Sequence, residues 1–186
     1  IPQNNIFLES LCLLMKLYLQ LLLIFSPTLL FSQDIRSLNY SELSEEIVAD
    51  KENILIVNFW ATWCKPCIEE LPYFEKVRTD YSNKGVKVKL VNLDFNSKLE
   101  SVTVPFVKKH ELKSDVFHLT DSDPNEWINK VEPRWSGAIP ATVIYYRGEK
   151  KFFKEGELNQ QQLVFEVEKI LEENRKSIYN NQNKAK

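Results

Sequence analysis

Cys64 and Cys67 stand three positions apart in NFWATWCKPCIEELP, residues 58–72, with Trp60 and Trp63 just before them and Pro72 just after. A thiol pair at this spacing can staple the chain, hold part of a metal site, or shuttle electrons. Zinc calls for four ligands. Apart from Cys12 near the start, the chain adds only His110 and His118, neither closely paired nor at finger spacing, so no metal is expected. A staple across three residues closes a tiny loop, and the stabilisation from a crosslink grows with loop length. Dithiol–disulfide exchange is the chemistry the spacing favours, and it needs no cofactor.

That chemistry depends on where the pair sits. ILIVNFW, residues 54–60, is a continuous apolar run of branched and aromatic residues, the pattern of a central strand covered on both faces. From Lys65 to about Asn83 the pattern turns helical, with Ile68, Leu71, Phe74 and Val77 three apart and Lys84-Gly85 as the stop. Cys64 therefore falls at the helix N-terminus, where unpaired N–H groups and the helix dipole favour a thiolate. Thiol pKa values in such places fall from about 8.5 to roughly 3.5–7.5. Lys65 adds a positive charge, and the Lys65-Pro66 dipeptide between the cysteines is expected to tune the potential. Cys67, one turn deeper on the same face, can reach Cys64 and should be better shielded. The expected roles follow: Cys64 attacks and Cys67 resolves the mixed disulfide.

The remaining elements form a frame for this junction. SLNYSELSEEIVADKEN predicts a short helix with Leu43, Ile47 and Val48 inward. VKVKLVNLDF predicts a strand, residues 102–111 a helix, VFHLT a strand, and PNEWINKV a helix with proline at a favourable first position. ATVIYYR and KKFFKEG predict a hairpin turning at Arg147-Gly148. A last helix is expected from Asn159 to Arg175, with Leu163, Val167, Ile170 and Leu171 inward and residues 176–186 as a disordered tail. Strands alternating with helices and closing in a hairpin predict one α/β sandwich with a mixed sheet over residues 33–175.

Ahead of it, residues 1–32 read as a signal peptide or membrane anchor: Lys16, an apolar run from Leu17 to Phe25, then Ser26-Pro27 and Ser32. Met15 is the only methionine, so residues 1–14, Cys12 included, are expected to lie upstream of the true start. A leader of this kind places the protein in the periplasm or cell envelope, either released after Ser32 or anchored through the leader. The net charge of −2, with lysines and glutamates interspersed, excludes the basic face of a nucleic-acid binder.

Two stretches together resemble a known family. FWATWCKPC is similar to the active-site stretch of the thioredoxin superfamily, and GAIPATVIYYRGE to its second signature; the resemblance covers roughly residues 40–172. It implies a thioredoxin-like fold, a central mixed β-sheet flanked by helices. It also implies that Pro140, after Ile139, is cis and faces the cysteines, with the backbone beside it pairing with an extended substrate. Cytoplasmic thioredoxin has an aspartate six residues before its first cysteine, where this chain has Asn58; an acid appears instead at Glu70, six residues after Cys64. This resembles the secreted TlpA/ResA-type oxidoreductases, in which the matching glutamate tunes the pair, and the length of residues 96–135 fits that group's central insertion. Glu70 shares the face of Cys67; Glu69 does not.

Further residues follow from position. Trp63 is expected to rim the site and Trp60 to lie in the core. Arg134 and Trp135, just ahead of Pro140, either line the substrate groove or pack beneath it. His110 and His118 are taken as structural or surface residues. The resemblance implies a protein-disulfide reductase whose partners are protein disulfides and a membrane or periplasmic electron donor, apocytochrome c being one candidate substrate. Two alternatives stay open: a disulfide-donating oxidase of the DsbA type, although the dipeptide here is Lys-Pro rather than Pro-His, and a thioredoxin-fold binding module that is redox-inactive. A peroxiredoxin is disfavoured because Ala61 stands where that group has a threonine three positions before its attacking cysteine.

Overall fold

The computed structural model describes residues 14–16, 18 and 34–184. The chain divides into two units, residues 1–32 and 33–186. In the first, Leu14, Met15, Lys16 and Tyr18 are helical; the rest of the expected leader lies outside the described residues. Among the described residues, no helix is long and apolar enough to cross a membrane.

The second unit is built on β2 (Ile54–Trp60), every residue of which is buried. Its neighbours are β3 (Val86–Asn92), parallel, and β5 (Ala141–Tyr146), antiparallel. Outside these lie β4 (Asp115–Leu119), parallel to β3, and β6 (Glu149–Glu155), antiparallel to β5. β1 (Arg36–Leu38) pairs in parallel with β4, so the sheet order is β1-β4-β3-β2-β5-β6. The fold class is as expected: a mixed sheet in an α/β frame.

Side chains alternate across a strand, and on β2 this sorts two cores. Ile54, Ile56 and Trp60 join one hydrophobic cluster. Leu55, Val57 and Phe59 join the other. The first cluster is covered by α2 (Lys65–Tyr81) through Leu71, Phe74 and Val77, by α3 (Val104–Lys109) through Val107, and by α5 (Gln160–Lys184) through Leu163, Val167 and Ile170. The second is covered by α1 (Tyr40–Ala49) through Leu43 and Ile47 and by α4 (Ile128–Val131) through Val131. Asn58 shares the parity of Ile56 and Trp60, so the one polar residue of β2 faces the α2 side.

α1 is closed by a capping box, the Asn39 side chain accepting from Glu42 N and the Glu42 carboxylate accepting from Asn39 N. α2 ends at a short 3₁₀ turn and Gly85, whose φ of +73° needs a residue without Cβ. Four expectations are corrected. Val48 is half exposed rather than inward, because Leu43 and Ile47, four apart, already fill the narrow buried stripe of α1. The third strand stops at Asn92 instead of Phe95. The helix expected at 102–111 begins earlier, as a π-helical turn over Leu99–Thr103, and ends at Lys109. The last helix runs on to Lys184, so residues 176–184 are helical and not a disordered tail; residues 185–186 lie outside the described residues. No glycine or proline interrupts that stretch, and Glu172 pairs with Arg175 and Lys176 across its turns.

Candidate active site

The junction of β2 and α2 carries the cysteines. Cys64 is the N-cap of α2, and its Sγ takes the place usually held by a serine or aspartate oxygen, accepting from Cys67 N at 3.3 Å. Pro66 sits in the first turn, where a missing N–H costs nothing. Cys64 and Cys67 are joined in a disulfide with Cα atoms 5.3 Å apart. Cys67 is wholly buried, while Cys64 keeps a small exposed edge. The Cys64 Sγ lies 3.7 Å from the carbonyl oxygen of Ile139. The Ile139–Pro140 bond is cis, and Gly156 N donates to the Pro140 carbonyl at 2.8 Å.

One turn past Cys67, the Glu70 side chain is buried on the same face of α2. Asn58 Nδ2 donates to Glu70 Oε1 at 2.7 Å, and Leu158 N donates to Oε2 at 2.8 Å. The same Asn58 amide donates to Thr142 Oγ1 at 3.1 Å. Burial disfavours the charged form and outweighs these hydrogen bonds, so the Glu70 carboxyl is pushed up to about 7. A group titrating there can take or give a proton near neutrality. Glu69, by contrast, points to solvent beside Lys65.

The remaining expected residues separate. Trp63 is two-thirds exposed and Ile139 half buried, and both line a groove of about 460 Å³ beside the disulfide. Lys65 projects into solvent, where its ammonium pairs with Glu69 at 3.6 Å and water screens its charge. Trp60 is in the core, as expected. Trp135 packs rather than lining the groove: it is buried against Phe59 and Trp127, with Nε1 donating to the Ala138 carbonyl at 2.8 Å. Arg134 is exposed and pairs with Glu132. His110 stacks on Phe106, and His118 is buried, its ring nitrogens 3.2 Å from Asn92 Oδ1 and 2.8 Å from Asn96 Oδ1. Burial pushes the His118 pKa down. Among the described residues, no group of three or more His, Cys, Asp or Glu is placed to hold a metal ion.

Sequence reasoning missed Asp94. Its buried carboxylate accepts from Thr62 N and Thr62 Oγ1, both at 3.0 Å, from Asn92 Nδ2 at 3.0 Å and from Thr103 Oγ1 at 2.7 Å. It thereby ties the loop before Cys64 to the end of β3 and to the π turn. The available signal was an aspartate breaking the apolar end of VKVKLVNLDF.

Residues 32–149 match the model of the AhpC/TSA family. The thiol-disulfide oxidoreductase ResA from Oceanobacillus iheyensis is 39% identical over 64 residues, 34% of this chain and 32% of that protein. The chain thus matches about a third of the length of such curated relatives. StoA from Bacillus subtilis has a crystal structure similar at a TM-score of 0.52, with 27% identity over 64% of this chain and 86% of that one. A thioredoxin-family thiol:disulfide interchange protein from Chlorobium tepidum reaches a TM-score of 0.54 at 23% identity, covering 69% of this chain and 84% of that one, a likeness of fold.

Proposed function

Because the chain belongs to the AhpC/TSA family, we propose that it is a thiol:disulfide oxidoreductase that reduces protein disulfides outside the cytoplasm. The observation that carries this is the asymmetry of the pair: Cys64 caps α2 beside the Ile139 carbonyl at the groove, while Cys67 is sealed one turn below, three residues before the buried Glu70, whose carboxyl is pushed up to about 7. In the dithiol state the Cys64 thiolate attacks one sulfur of a substrate disulfide, forming a mixed disulfide and releasing the other substrate sulfur as a thiolate. Cys67, deprotonated with Glu70 as proton acceptor, then attacks the Cys64 sulfur. The substrate leaves with both sulfurs reduced, and the pair closes to the disulfide seen here. Two electrons have passed to the substrate, and a membrane or periplasmic dithiol donor must restore them.

The extracytoplasmic location is supported by the leader pattern of residues 15–32, and anchoring through that segment belongs to the same proposal. Apocytochrome c is one candidate substrate. Peroxide reduction is not proposed: Ala61, fully buried, stands where a peroxiredoxin has its threonine. The reduced chain is expected to reduce insulin and to lose that activity in Cys64→Ser, while Cys67→Ser holds its substrate as a mixed disulfide that mass spectrometry identifies. Failure of the reduced wild-type chain to reduce insulin would favour a redox-inactive binding module instead.

A further inference from the structure

We propose that Phe95 is a specificity-determining residue, gripping with Trp63 a bulky apolar side chain that neighbours the substrate's disulfide-bonded cysteine. This deepens the oxidoreductase reading and rests on it. Phe95 is 77% exposed and Trp63 66% exposed, and both line the groove together with Leu93, Leu119, Trp127 and Ile139.

Exposed aromatic rings that gather on one groove, rather than scattering singly, mark an interaction site, and neither ring sits on a loose segment. Asp94, before Phe95, is buried and accepts four hydrogen bonds. Asn96, after it, donates to the Thr120 carbonyl at 3.3 Å and meets His118 Nε2 at 2.8 Å. The Phe95 carbonyl itself accepts from Lys98 N at 2.7 Å. Thr62, before Trp63, is held through both backbone and hydroxyl by that same Asp94. One buried carboxylate therefore fixes the backbone of two aromatics, 32 positions apart in sequence, on one groove.

The occupant is argued from continuity with the reacting atoms. The groove includes Ile139, whose carbonyl is 3.7 Å from the Cys64 sulfur. A chain whose cysteine reacts there has its adjoining residues beside a mainly apolar trough that includes a backbone acceptor, the arrangement that suits an extended polypeptide. Aromatic walls favour a large apolar side chain in it.

The test uses two cysteine peptides, identical except for Phe or Ser next to the cysteine, each carrying glutathione as a mixed disulfide. Their reduction by the pre-reduced protein is followed by stopped-flow tryptophan fluorescence. Each rate is divided by the same variant's rate with hydroxyethyl disulfide. The wild type is expected to prefer the Phe peptide roughly tenfold, and Phe95→Ala to bring that preference close to one. Equal rates for the two peptides in the wild type, or an undiminished preference in Phe95→Ala, would overturn the proposal. A wild-type dimer in sedimentation that Phe95→Ala dissolves would assign the groove to a second copy and overturn it too. If the wild type reduces neither the peptides nor hydroxyethyl disulfide, the oxidoreductase reading falls with it.

Discussion

A carboxyl sealed between a helix and the central strand, as Glu70 is, links folding to pH. Its folded pKa is raised from 4.5 to about 7, so its contribution to stability is fully present below about pH 4.5 and is lost as pH rises through 7. The integrated loss is about 3 kcal/mol. Glu70→Gln removes this titration. The unfolding free energy from urea titration is therefore expected to fall further from pH 5 to pH 8 for the wild type than for the variant, by about 2–3 kcal/mol. Parallel pH dependence in the two would mean that the carboxyl is solvated. The variant also carries a pH-independent penalty of about 1–3 kcal/mol, because a glutamine amide presents its NH₂ to one of the donors Asn58 Nδ2 and Leu158 N. Glu70 and Glu69 were separable in the sequence, because three residues past Cys67 is the same helix face and two is not. Neither donor to Glu70 was legible, since Asn58 and Leu158 are 12 and 88 positions away.

Helices here are held by short buried stripes, and α5 shows where such a stripe ends. Its inward residues, Leu163, Val167 and Ile170, all precede Arg175, while Lys176, Ser177, Ile178, Tyr179 and Asn180 are exposed. Ending the chain after Arg175 is expected to change unfolding free energy by less than about 0.5 kcal/mol, measured by urea titration. A loss above 2 kcal/mol would mean that the last turns pack on the core. The apolar periodicity located the part of α5 that matters, but not its end, because propensity and surface ion pairs carry a helix beyond its buried face. β1 was invisible for the opposite reason: three residues are too few to show a pattern, and their pairing with β4 is made through the backbone.

For the whole molecule, the proposed direction of electron flow is a matter of reduction potential. A glutathione-equilibrium titration is expected to place the Cys64–Cys67 couple near −270 mV, in the range of a reductant; a value near −120 mV would favour the disulfide-donating alternative. What the sequence determined by itself was local: two cysteines at the hand-over from an apolar run to a helical period, a glutamate on the face of the second, and the alternation that makes a mixed α/β sheet. These follow from spacing along one strand and one helix. What only the tertiary structure decided was set by contacts between distant segments. Trp135 became core because Phe59 and Trp127 close on it. Phe95 left the third strand for the rim of the groove because Asp94 is bound to Thr62 and Thr103. Such choices turn on which buried polar group finds which partner, and a linear chain does not state its partners.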